Sequence, residues 1–273
     1  MPKIKKPFLI AAAFSAFIVC VVIRFVWLFG ANSQAASSPE RCAGAFLAVC
    51  LAGAVLLALF VFSQEKINGR AVYESKAVSV FSFLCSAGMF CDFVIQCLNC
   101  YNCASKSAYV ALNRIIPIGL SGAFALMSAI YFIIIGISFS SSRYDFMQLK
   151  VFKYFPLLWA LCAALTDLTE YSSGYSGADA ALKSLVILLA LLFFFFFACC
   201  ARENVGAGGI KGLVFSGLCY GMMSVSCVVP EAFASLFKIA EAPAFYTDFV
   251  FLFSGLFALG ISFYILRKPE TAL

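Results

Sequence analysis

The chain contains no histidine among its 273 residues. That absence removes histidine-ligated zinc, haem with an axial histidine, and imidazole acid–base catalysis. Charge is equally scarce, at 12% of residues against 64% apolar, with a mean hydropathy of +1.01. A chain with so little polar surface cannot coat a soluble globule and reads as an integral membrane protein contacting the lipid bilayer. Enzyme signatures are missing too. There is no HExxH, no G-x-S-x-G, no Walker loop and no paired-aspartate motif. No lysine stands in the middle of an apolar run, which argues against a retinal Schiff base. No cofactor is expected, and the scattered basic residues form no nucleic-acid patch.

What is present is a series of long apolar runs. They fall at about Pro7 to Gly30, Ala43 to Ser63, Ala77 to Leu98, Ile115 to Phe139, Phe152 to Thr169, Ala181 to Ala201, Gly212 to Val229 and Asp248 to Leu266. A helix needs roughly 20 apolar residues to cross a bilayer. The expectation is therefore an all-α polytopic protein with about eight transmembrane helices, the fifth being the weakest. The apolar stretch after Met1 is too long for a signal-peptide core and is read as the first span.

With the N-terminus inside, Lys3, Lys5, Lys6, Lys66, Arg70, Lys76, Arg143, Lys150, Lys153, Arg202, Lys211, Arg267 and Lys268 fall on the inner side. Only Arg41, Lys106, Arg114, Lys183 and Lys238 fall outside. This bias predicts both termini in the cytoplasm and a location in a bacterial cytoplasmic membrane. The connections are short, and none has the composition of a soluble domain.

Three stretches return in order. Leu56-Leu57-Ala58-Leu59 recurs as Leu188-Leu189-Ala190-Leu191, Val80-Phe81-Ser82-Phe83-Leu84-Cys85 as Val214-Phe215-Ser216-Gly217-Leu218-Cys219, and Ser121-Gly122-Ala123-Phe124-Ala125-Leu126 as Ser254-Gly255-Leu256-Phe257-Ala258-Leu259. Nearly constant spacing suggests two four-helix units, residues 1–139 and 140–273, within one membrane domain. An even number of spans per unit makes such repeats parallel and leaves a cleft between the halves.

Charges inside spans point to a site, because each costs at least about 2.5 kcal/mol at the bilayer centre. Arg24, Asp92 and Asp167 all fall in the expected outer third. Gln96 shares a helical face with Asp92, and Glu170 shares one with Asp167, while Arg114 enters the fourth span at the same level. The functional reading is an outward-facing cavity binding a small polar or charged solute. The structural reading is a set of ion pairs that fix helix packing, or side chains that reach the headgroups.

Cys97, Cys100 and Cys103 give two overlapping CxxC spacings near Asp92, with Cys42 on the same side. They read as a thiol–disulfide exchange centre, a structural disulfide, a metal site, or small apolar residues like the other cysteines of this chain. Gly217 and Gly221 form a GxxxG that allows close helix approach. The run Phe193 to Phe197 belongs against lipid or in a crowded bundle.

Three functions are compatible with these features. The first is a small permease rocking between two helical halves. The second is a sensory or scaffold module that binds a ligand or a partner membrane protein. The third is a membrane thiol oxidoreductase. Compact apolar spans with one arginine in the first and a few outer acids are similar to the membrane halves of major-facilitator-like sensory regulators, a resemblance that implies ligand sensing and assigns no residue.

Overall fold

Apolar runs in a bilayer must satisfy every backbone N–H and C=O internally, and the helix is the local way to do so. The computed structural model of the chain describes residues 6–30, 39–63, 75–106, 112–141, 151–171, 178–200, 207–236 and 249–267. Among these, the elements are α1 (Lys6–Gly30), α2 (Pro39–Phe62), α3 (Lys76–Lys106), α4 (Leu112–Ser141), a 3-10 turn (Phe152–Tyr154), α5 (Phe155–Tyr171), α6 (Ala178–Cys200), α7 (Ala207–Leu236) and α8 (Phe249–Arg267). The described residues are helical, with no strand among them, as expected. Six of these helices are long and apolar enough to span a membrane, and α1 adds a shorter apolar stretch, Ala13–Leu28. At 17 residues, α5 is the shortest of the eight.

Two boundaries differ most from the expected ones. Helix α3 runs on to Lys106 instead of stopping near Leu98, so the CxxC segment is helical. Helix α7 continues through Pro230 to Leu236 instead of ending at Val229. A proline removes a single intrahelical bond, and in a bilayer neighbouring helices and hydroxyl side chains compensate.

Helices α3, α4, α5, α6, α7 and α8 pack each on the next, and α8 returns to α3, closing a six-helix ring. The α1–α2 pair lies outside it and docks chiefly on α7. Neighbouring helices run in opposite directions. Near one end the backbone N–H of Ser75 meets the carbonyl of Phe139, and Lys211 Nζ donates to the carbonyl of Phe62. Near the other, Asp167 of α5 meets Ser184 of α6.

The centre of the ring is filled by aromatic side chains. Trp159, Phe132, Phe193, Phe194, Tyr220 and Phe257 are all fully buried. Phe132 meets Phe257 edge-on with ring centroids 5.0 Å apart, and Phe193 lies against Tyr220 at 6.0 Å. Such pairs contribute about 0.5–1.5 kcal/mol each beyond their burial. The phenylalanine run thus sits in the bundle: Phe193, Phe194 and Phe197 face inward and Phe195 outward. Outward-facing Ile18, Leu51, Val55, Leu59 and Leu188 give the exterior an apolar coat suited to lipid.

Helix association in lipid lacks a hydrophobic drive and depends on close packing and interhelical hydrogen bonds. Both are present between α3 and α4. Ser79, Ser82 and Ser86 lie on one face of α3 and donate to the carbonyls of Gly136, Phe132 and Ala129, at 2.8, 2.7 and 2.9 Å. Between α7 and α8 the small residues are Gly217, Gly221 and Gly255, with Ser224 Oγ donating to the carbonyl of Phe251. The α3–α4 and α7–α8 pairs carry two of the three recurring sequence stretches. Replacing all three α3 serines by alanine is expected to destabilise the protein by about 2 kcal/mol, since such bonds average roughly 0.6 kcal/mol each in membranes. Unfolding by steric trapping in detergent would measure the loss.

Candidate functional site

Each intramembrane charge has its own partner. Asp92, only 4% exposed on α3, accepts a hydrogen bond from Trp159 Nε1 of α5 at 2.7 Å and one from Gln96 Nε2 at 3.1 Å. The helical repeat puts Gln96 on that face, one turn on, as the spacing predicts. Trp159 comes from the centre of α5, where the indole packs edge-on against Phe194 and beside Phe251. A carboxyl held between two neutral donors, deep in an apolar bundle, is the kind of group at which protons are taken up or released in membrane proteins.

Arg24 is 1% exposed on α1 and bonds Glu231 of α7 through Nη2 and Oε1 at 2.5 Å. Its guanidinium also lies over the Trp27 ring, 4.3 Å from the centroid. A planar, weakly hydrated guanidinium suits both contacts at once. Asp167 accepts a hydrogen bond from Ser184 of α6.

Arg24, Asp92 and Asp167, which fall at one level by sequence, have separate partners. Asp92 is held by Trp159 and Gln96, Asp167 by Ser184, and Arg24 by Glu231. The physical reason is connectivity. Helix α1 docks on α7, whereas α3 and α5 flank α4 in the ring. The side chains of Arg114 and Glu170, and that of Cys42, lie outside the described residues.

Cys97, Cys100 and Cys103 are free thiols in the last turns of α3, Cys97 exposed and the others half-buried. Residues three apart on a continuous helix hold their Cβ atoms about 5–6 Å apart. A disulfide needs about 3.5–4.5 Å, so closing a CxxC here requires those turns to unwind. No group of three or more Cys, Asp or Glu among the described residues is arranged to hold a metal.

Two adjoining cavities lie between the α1–α2 pair and the ring. One, of 380 Å³, is lined by Ala13, Phe14, Leu57, Phe60, Met222 and Phe263, among others. The second, of 280 Å³, shares Ala13, Leu57 and Met222 and continues to Cys20, Cys50, Met223 and Ser226. Neither is lined by Asp92 or Asp167. Arg24 stands one turn beyond Cys20 on the same face of α1. The Arg24–Glu231 pair therefore stands just past the far end of an apolar cleft that starts at the opposite end of the bundle.

Trp159 and Glu231 were not singled out by the sequence. Glu231 was hidden because α7 was expected to stop before Pro230. Trp159 carried no signal beyond being one of only two tryptophans. The α3 serines did carry one, in their spacing of three and four residues. No protein family, curated protein or solved structure matches the chain, so the site is read from its own chemistry as part of a multi-pass helical membrane protein.

Proposed function

We propose that the chain is a small permease whose solute occupies the cleft under the α1–α2 pair, with Arg24, one turn beyond Cys20, binding an anionic group just past its far end. The observation that carries this reading is the cleft itself. It is apolar along its length, it lies between a helix pair and the ring on which that pair docks, and the ion pair of buried Arg24 with partly exposed Glu231 stands beyond it. Release of Glu231 by Arg24 in favour of a solute anion frees the pair to rock on α7, giving alternating access. The solute class is a small carboxylate or sulfonate with an apolar body. Asp92, oriented by Gln96 and Trp159, carries the coupling proton. The termini lie in the cytoplasm. The four-plus-four repeat is the origin of the two small-residue helix pairs.

A sensory or anchoring module is the second reading, favoured by the aromatic filling of the ring. Counterflow of radiolabelled small aryl and alkyl sulfonates into proteoliposomes separates the two. Transport predicts saturable uptake above empty vesicles, loss of uptake in Arg24→Gln, and loss of its pH-gradient dependence in Asp92→Asn. Uptake no greater than in empty vesicles, or variants equal to wild type, overturns the permease reading.

A further inference from the structure

Three sulfur atoms from three different helices converge on the wall of the second cavity. Cys20 of α1 and Cys50 of α2 hold their Sγ atoms 3.3 Å apart, and Cys50 Sγ lies 3.7 Å from Met223 Sδ of α7. Cys20 and Met223 are buried, and Cys50 is half-buried beside the open volume. Cys219 stands one turn from Met223 on the same face of α7 and lines the same cavity. In a chain that uses cysteine freely as a small residue, such a convergence of two thiols and a thioether is distinct from single buried thiols such as Cys85.

From this geometry we infer that Cys20, Cys50 and Met223 form a binding site for a soft monovalent metal ion, with copper(I) as the cation they suit. The donor set decides the class. Thiolate and thioether sulfur select copper(I), whereas magnesium and calcium require oxygen ligands and none of the residues lining this cavity is acidic. Metal–sulfur bonds of about 2.3 Å place the sulfurs of a three-coordinate ion ~4.0 Å apart. Cys50 Sγ needs to part from Cys20 Sγ and from Met223 Sδ by less than about 1 Å to reach that spacing, and the adjoining cavity lets Cys50 move.

Charge points the same way. A monovalent ion that takes up one thiolate, displacing its proton to water, leaves the site neutral in a low-dielectric interior. A divalent ion needs two thiolates for the same result and ordinarily a fourth ligand. The site joins the α1–α2 pair to α7, so bound metal ties together the two parts that the cleft separates. The inference does not rest on the transport reading, because binding is measured without flux.

The test is an anaerobic copper(I) titration of the purified, reduced full chain in detergent, against a bicinchoninate competitor. Cys91, Cys97, Cys100 and Cys103 are replaced by alanine to remove the exposed thiols of α3 and their neighbours. The expected result is one tightly held copper(I) per chain with sulfur-to-metal ultraviolet absorbance and two or three sulfur neighbours at about 2.2–2.3 Å by X-ray absorption. Cys20→Ser and Cys50→Ser should each weaken it about 100-fold or more, and Met223→Leu about tenfold, with Cys85→Ser unchanged. Met223→Leu keeps the core volume, so its effect is readable even if a cysteine variant fails to fold. Copper lost entirely to the competitor, a site indifferent to Cys20, Cys50 and Met223, or nitrogen and oxygen neighbours alone overturns the assignment.

Discussion

Replacing Trp159 by alanine is expected to destabilise the protein by about 4 kcal/mol or more, the largest loss expected from truncating any one side chain of the bundle. Two causes add. Removing a fully buried tryptophan costs roughly 3–5 kcal/mol through lost contacts and the cavity left behind. It also takes away the 2.7 Å donor to a carboxyl that is 4% exposed. A hydrogen bond contributes about 0.5–1.5 kcal/mol, and leaving a buried acceptor short of a donor costs about 1–3 kcal/mol. Trp159→Phe isolates the second cause, because it keeps most of the ring, and its expected cost is about 2 kcal/mol. In an Asp92→Leu background the same change should cost less than about 1 kcal/mol. A double-mutant cycle by reversible unfolding in mixed micelles gives the coupling directly. Equal costs in both backgrounds would mean that the indole serves packing alone.

Gly221→Val is the second large effect expected, through over-packing. A Cβ at Gly221 would stand 2.6 Å from the carbonyl oxygen of Gly255 and would also strike the Leu259 side chain. The carbonyl belongs to the backbone of α8, so relief requires the whole helix to move. Ser224 and Tyr220 hold that helix through the carbonyl of Phe251 and the hydroxyl of Ser254. Over-packing a well-filled core costs typically about 1–3 kcal/mol, and the backbone clash puts valine at or above the top of that range. Gly44 is the internal control, since nothing lies within 4 Å of a Cβ there. Thermal unfolding in detergent should show a large loss for Gly221→Val and almost none for Gly44→Ala. Similar melting of the two would show that α7 and α8 are not locked together by close approach.

The helices were legible because their signal is local. Apolar runs of spanning length fix where α2, α4, α6 and α8 lie, and the ends that drifted are those where polar or proline residues dilute the run. Helix α3 carries Asn, Tyr and Cys past Leu98, and α7 carries Pro230 and Glu231. The GxxxG of α7 was readable for the same reason, since its two glycines face one way by helical period alone. The candidate site was legible by halves. Arg24 and Asp92 are buried charges, as their positions implied, and Gln96 joins Asp92 as the spacing required. Their remaining partners were not readable, because Trp159 lies 67 residues from Asp92 and Glu231 lies 207 from Arg24.

The amino-acid sequence by itself determined the class of the molecule, the faces of its helices and which side chains had to find polar partners inside a bilayer. Only the tertiary structure decided which helix supplied each partner, that the ring is filled by aromatics, and that the cleft lies between the α1–α2 pair and helices α6, α7 and α8. The reason is physical. Helical period and hydropathy act within one span, whereas lipid offers no strong preference among apolar faces. Pairing is therefore settled by serine bonds, glycine steps and buried charges meeting across distant parts of the chain.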